Sequence, residues 1–211
     1  NMEFERKVDK SLIPTCNIMG VNIAAINMEW LVDYLNKNLE KIKGDYICVS
    51  NVHTTVTSYE DVSYCAVQNG GLMAIPDGGP LSTVGRKRGC QDMARTTGPS
   101  LMGEIFQISA EKGYSHYFYG STDETLKILK EKLEVRYPGI KIVGLYSPPF
   151  RPLTEEEDKI VLSSYEIPAG EDKGTFSYSS MKNVDYTALK KSEKFTPAIY
   201  HEKDGGWEGG S

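Results

Sequence analysis

The chain reads as an α/β protein, a parallel sheet flanked by helices with an irregular carboxyl-terminal tail. Three observations carry that expectation. Short apolar runs of strand length alternate with longer segments of helical period, the pattern of repeated strand, helix, strand units. Glycine, asparagine and proline fall between these segments, where the chain must turn. Beyond about residue 165 the periodicity vanishes, and prolines, glycines, serines and charges intermingle, as in a loosely ordered appendage.

Each element has its own signature. Residues 17–26 alternate apolar and polar around Gly20, predicting a short strand or hairpin. Asn27 then caps a helix running to about residue 43, with Leu31, Leu35, Leu39 and Ile42 on one stripe and Gly44 as its stop. Residues 46–49 form the next strand, ending at Ser50-Asn51-Val52-His53. A single helix is expected over about 54–68, closed by Asn69-Gly70-Gly71, and it delivers an apolar strand at 72–75. Pro76 ends that strand's hydrogen-bond ladder. A further helix runs from Pro99 or Ser100 to Lys112 and stops at Gly113, followed by an aromatic strand at 115–119. In the next helix Ser121 and Glu124 have capping-box spacing, and Leu126, Leu129, Leu133 and Tyr137 form the inner stripe. Residues 140–145 are another strand, and Thr154-Glu155-Glu156-Glu157 starts a helix reaching at most residue 165. The sum is a Rossmann-like parallel sheet over residues 1–165, with 166–211 an irregular tail or small appendage.

Composition narrows the function classes. A chain of 211 residues with 39% apolar and 25% charged residues is an ordinary globular protein. Its net charge of −5 gives no reason to expect wrapping around nucleic acid, so an anionic substrate needs a local basic cluster. Cys16, Cys48, Cys65 and Cys90 are scattered without a CxxC pair, as expected of reduced core cysteines in a cytoplasmic protein. No run approaches the roughly 20 apolar residues that span a bilayer, and the start is no secretory signal, so any membrane contact is peripheral. There is no GxGxxG, Walker, HExxH or paired-carboxylate signature. Neither a cofactor nor a metal is implied, and a dinucleotide-dependent oxidoreductase is disfavoured.

Chemistry concentrates at one predicted rim. Asp77 follows the 72–75 strand and precedes Gly78-Gly79-Pro80, whose missing side chains let a ligand approach the backbone. Ligands of open α/β sheets bind at strand carboxyl ends, so Asp77 is a candidate base or anchor. A turn aspartate capping the next helix is the alternative. Asn51, at the end of the preceding strand, lies beside it on the same rim, where an amide can hold a sugar hydroxyl; a helix cap is the competing role. His53 is a weaker candidate base, more simply a polar residue opening a helix. Arg86, Lys87, Arg88 and Arg95 make a basic cluster suited to a diphosphate. The first three also fit a solvated loop. Arg95 is the stronger candidate because Arg95-Thr96-Thr97-Gly98-Pro99 places it just before a helix amino terminus. The Gly120-Ser121-Thr122 turn looks like a phosphate cradle, but Asp123 and Glu124 occupy its first turn and favour a capped structural helix.

In order and spacing these fragments resemble the WecG/TagA/CpsF family of bacterial glycosyltransferases. The resemblance covers about residues 18–158 and rests on Met19-Gly20-Val21-Asn22-Ile23, Ser50-Asn51-Val52-His53-Thr54, Ile75-Pro76-Asp77-Gly78, Arg95-Thr96-Thr97-Gly98-Pro99-Ser100-Leu101-Met102, Tyr119-Gly120-Ser121, Tyr137-Pro138-Gly139-Ile140-Lys141-Ile142-Val143-Gly144 and Ser147-Pro148-Pro149-Phe150. It implies an inverting, metal-independent transfer of an amino sugar, typically N-acetylmannosamine, from a UDP-sugar to an undecaprenyl-diphosphate-linked N-acetylglucosamine. The products enter wall teichoic acid, enterobacterial common antigen or capsular polysaccharide. By position Asp77 would be the catalytic base, Asn51, Gly78 and Gly98 substrate-binding residues, and Arg95 the diphosphate contact. The implied partners are that donor, that lipid-linked acceptor, the inner membrane leaflet touched from the cytoplasmic face, and a homo-oligomeric copy of the chain. Two departures stand out. Ser100 replaces a usually acidic residue, and no Gly-x-Pro-Lys-Gln-Glu nucleotide motif follows the helix at 154–157. The resemblance therefore also fits a truncated, inactive member acting as a binding or assembly module.

Overall fold

The computed structural model describes residues 5–157, 175–179 and 198–201. The chain opens with a hairpin: β1 (Thr15–Ile18) and β2 (Val21–Ala24) pair antiparallel across Met19 and Gly20, both with positive φ. Two-residue hairpin turns of the favoured hand require that conformation at both positions, and glycine supplies one of them without strain. Helix α1 (Met28–Asn38) is capped by Asn27, whose side chain accepts from Trp30 N. Its last turn tightens into a 3-10 segment (Leu39–Ile42) before Gly44 at φ 80°.

Strand β3 (Tyr46–Ser50) is buried along its whole length, as a central parallel strand must be. The single helix expected next is two, α2 (Val52–Glu60) and α3 (Val62–Gly70). Asp61 is the reason: its backbone is extended, and its Oδ1 accepts from Ser63 N at 2.8 Å and Tyr64 N at 3.1 Å. A short acidic side chain that satisfies the next helix's orphan amides ends one helix and starts another. Gly71 then brings β4 (Met73–Pro76) against β3. A Cβ at Gly71 would lie 2.6 Å from the Tyr46 carbonyl oxygen, which Leu72 N approaches at 2.8 Å.

Helix α4 (Gly79–Lys87) corrects the reading of the basic run as a loop, for Arg86 and Lys87 form its last turn. Pro80 in its first turn and the buried Leu81, Ser82 and Gly85 explain why it forms. Helix α5 (Gly98–Lys112), strand β5 (Ser115–Tyr119), helix α6 (Asp123–Arg136) and strand β6 (Lys141–Tyr146) follow as expected. The cap of α6 is Thr122, accepting from Thr125 N, and not Ser121. Ser121 sits in the left-handed region, φ 60°, outside the helix.

The described strands form one sheet in the order β1-β2-β4-β3-β8-β7-β5-β6, where β7 is Thr175–Ser179 and β8 is Ala198–His201. Only the β1 and β2 pairing is antiparallel. Strands β7 and β8 come from the stretch whose composition predicts an irregular tail. The remainder of that expectation, and the continuation of the helix opening at 155–157, lie outside the described residues.

One core packs α1 and α5 on the sheet through Leu31, Leu35, Val49, Ile75, Leu101 and Ile105. On another side α3 and α4 cover Ile23, Cys48 and Ala74. Helix α5 also turns Met102 and Phe106 toward β5 and α6, so it couples the two halves of the sheet. All four cysteines are free. Complete burial pushes the Cys48 thiol up to about 12, which leaves it unreactive.

Candidate active site

The register of β3 and β4 builds the site. Val49 stands opposite Ile75 and Ser50 opposite Pro76, so the next residues, Asn51 and Asp77, leave the sheet side by side. Asp77 N donates to Ser50 O at 2.8 Å and fixes the exit of one strand to the other. The missing Cβ of Gly78 would lie 3.9 Å from Asn51 Cα, in contact with it. Asp77 is half-buried.

Asn51 is a helix cap. Its Oδ1 accepts from Thr54 N at 2.9 Å while its own N donates to Thr54 Oγ1 at 2.9 Å, a reciprocal capping box. Asp77 does not take the corresponding role in α4. The cap there is Gly78, which has no side chain to bond with, and Asp77 precedes it.

The basic cluster splits. Arg86 Nη1 donates to Met93 O at 2.8 Å and its Nη2 to Thr83 Oγ1 at 3.3 Å. Arg88 Nη1 donates to Asn17 O. The two guanidinium groups therefore tie the end of α4 to the loop at Met93 and to strand β1. Arg95 instead reaches the rim, where its Nε donates to the Asp77 carbonyl at 2.9 Å and its side chain is exposed. Thr96, passed over as part of a motif, anchors this loop: its N and Oγ1 both donate to Pro76 O, at 2.7 and 3.3 Å. Thr96 is completely buried beside the exposed Arg95, and sequence gives no signal for it.

Gly98 is the buried first residue of α5. The helix is capped by Thr97, whose Oγ1 accepts from Ser100 N at 3.2 Å and donates to Ser100 Oγ at 2.7 Å. Ser100 thus serves the cap. His53 is exposed in the first turn of α2, consistent with the plainer of its two readings. Farther along the same rim, Ser147 Oγ donates to Ser121 O at 2.7 Å and joins the β5 and β6 exits. The Arg151 guanidinium, bonded to Glu157 at 2.7 and 2.8 Å, together with Thr154 N holds that carboxyl down to about 2. Among the described residues no group of three or more His, Cys, Asp or Glu side chains is placed to hold a metal ion, and no helix is long and apolar enough to cross a membrane.

The model of the glycosyl transferase WecG/TagA/CpsF family matches residues 16–166, more than two thirds of the chain. The chain belongs to the WecG/TagA/CpsF family. No curated protein matches it. Membership makes this a glycosyltransferase fold with a sugar donor and an acceptor to accommodate, and the Asn51, Asp77 and Arg95 rim lies wholly inside the matched residues. Within a WecG/TagA/CpsF protein, β7 and β8 lie beyond the matched segment, although both sit between β3 and β5 in the sheet.

Proposed function

We propose that the chain transfers an N-acetylhexosamine, N-acetylmannosamine by the family resemblance, from its UDP donor to an undecaprenyl-diphosphate-linked N-acetylglucosamine in cell-surface polysaccharide or teichoic acid synthesis. The observation that carries this reading is the convergence of Asp77, Asn51 and Arg95 at one parallel-sheet rim. In the reaction the Asp77 carboxylate takes the proton of the acceptor hydroxyl. The hydroxyl oxygen attacks the anomeric carbon from the face opposite the diphosphate, and the carbon–oxygen bond to UDP breaks with its electron pair leaving on the diphosphate. Arg95 offsets that charge from the loop held by Thr96. Gly78 keeps the backbone beside Asn51 open to substrate, while Gly98 is buried at the start of α5. Asn51, whose Oδ1 caps α2, stands beside Asp77 at the same rim as the candidate sugar contact.

Thermal unfolding with and without UDP and UDP-N-acetylhexosamines tests the donor site. The melting temperature rises with nucleotide in the wild type, and the rise shrinks or disappears in Arg95→Ala, whose exposed side chain is dispensable for folding. No rise with any of these ligands contradicts the assignment. That result would favour the second reading, a folded binding or assembly module, which the end of the family match at residue 166 supports.

A further inference from the structure

Helix α3 completely buries one side chain, and that side chain is polar. Gln68, 1% exposed, reaches from near the carboxyl end of α3 to the last residue of β3, where Ser50 Oγ donates to Gln68 Oε1 at 2.6 Å. The Nε2 of the same amide is enclosed and, among the described residues, has no hydrogen-bond partner. A buried amide with its donor unpaired is destabilising relative to an apolar side chain of similar length. Docking of the helix does not depend on it, because Tyr46 Oη donates to Val67 O at 2.7 Å and already ties α3 to β3. Local rules of this kind are broken where something other than stability selects the residue.

The residue that Gln68 holds supplies the reason. Ser50 is completely buried and stands between the two rim residues: Asn51 follows it in the chain, and Asp77 N donates to its carbonyl at 2.8 Å. A change in the backbone of Ser50 therefore displaces both. Its register partner Pro76 has no N–H to donate, and the Pro76 carbonyl accepts from Thr96 N at 2.7 Å. The bond from Asp77 N to Ser50 O thus carries the alignment of the two strand exits. Gln68 grips Ser50 from α3, and the chain runs from α3 through Gly71 directly into β4. One buried contact refers the end of β3 to the element that delivers Asp77.

We propose that Gln68 and Ser50 are positioning residues, whose buried hydrogen bond fixes the β3 and β4 exits so that Asp77 and Asn51 keep one geometry at the rim. The proposal rests on the transferase reading for its kinetic consequence and not for its structural one. Its test compares the full wild-type chain with Ser50→Ala/Gln68→Met, which replaces both partners by apolar groups. Ser50→Ala alone is the milder variant if the double one does not fold, and melting temperature checks folding in each. Exchange of single amides is followed by NMR. Asp77 N reports the rim, and Leu72 N, bonded to Tyr46 O at 2.8 Å at the other end of the same strand pair, reports general stability. Loss of the pair speeds exchange at Asp77 by about tenfold and leaves Leu72 at its wild-type rate. With UDP-sugar and lipid-linked acceptor, kcat falls by about tenfold or more, while UDP raises the melting temperature as it does in the wild type. Equal exchange at Asp77 in wild type and variant overturns the proposal. So does an equal acceleration at both amides, which makes the pair an ordinary stabilising contact, and so does an unchanged kcat in an active protein. A wild type without turnover sinks the transferase reading alone, because the exchange comparison still decides whether the pair holds the rim.

Discussion

Asn51 is a helix cap that the proposed function also makes a sugar contact. The Oδ1 holds the start of α2, and an aspartate can replace it there because a carboxylate caps as well as an amide. Under the proposed function Asn51→Asp therefore keeps the cap while raising the KM for sugar substrate, since the amide's donor group is gone. Asn51→Ala costs about 1 kcal/mol of stability through the lost cap and suffers the same rise in KM. Parallel thermal and kinetic measurements on the two variants check this, and a normal KM in Asn51→Asp would reduce the residue to its structural role. The cap at Asn51 was legible in the sequence only as one of two readings, because the same residue types serve caps and hydroxyls. Choosing between them needed the register of Ser50 and Pro76, which no local pattern contains.

The elements were legible where period and punctuation agree. Helix α1 begins at Asn27 and α5 ends at Gly113 as their caps dictate. The failures share a cause. At Asp61 and Ser121 a short polar side chain could serve either inside or outside a helix, and tertiary packing chose. Helix α4 was missed because it is short and carries Gly79, Gly85 and a basic end, while the Met93 Sδ that packs on Gly85 comes from the following loop. The two-helix form of 52–70 makes its own prediction. Asp61→Ala removes a cap serving two amides and destabilises the protein by about 1 kcal/mol in chemical denaturation. Were 52–70 one continuous helix, alanine at that position would be neutral or stabilising.

Across the whole molecule, the alternation of strands and helices announced the parallel sheet, but the strand order was beyond sequence reading. The placement of β7 and β8 between β3 and β5 depends on pairings with segments far away in the chain, and their surroundings lack the apolar periodicity that marks the other strands. The core also carries a pH signature. His116 is buried against Phe106 and Phe118, with Nε2 2.7 Å from Ser109 Oγ, and burial pushes its pKa down to about 3 from the usual 6.5. Between those values the unfolded chain binds the proton and the folded chain does not. Stability is therefore full above about pH 6.5 and falls as the pH drops toward 3, by at most about 1.4 kcal/mol per unit. Urea titrations at pH 7 and pH 5 are expected to show a loss about 2 kcal/mol larger in wild type than in His116→Gln. Equal losses would mean that His116 is protonated within the fold.

In the proposed reaction Asp77 at the β4 exit removes the acceptor proton during sugar transfer. Its most direct test is the rate of UDP release from UDP-N-acetylmannosamine with a lipid-linked N-acetylglucosamine acceptor, for the wild type and for Asp77→Asn. Turnover by the wild type is expected, with a fall of at least ~100-fold in kcat for Asp77→Asn at an unchanged melting temperature and with intact UDP protection. An Asp77→Asn protein that turns over at the wild-type rate would contradict it.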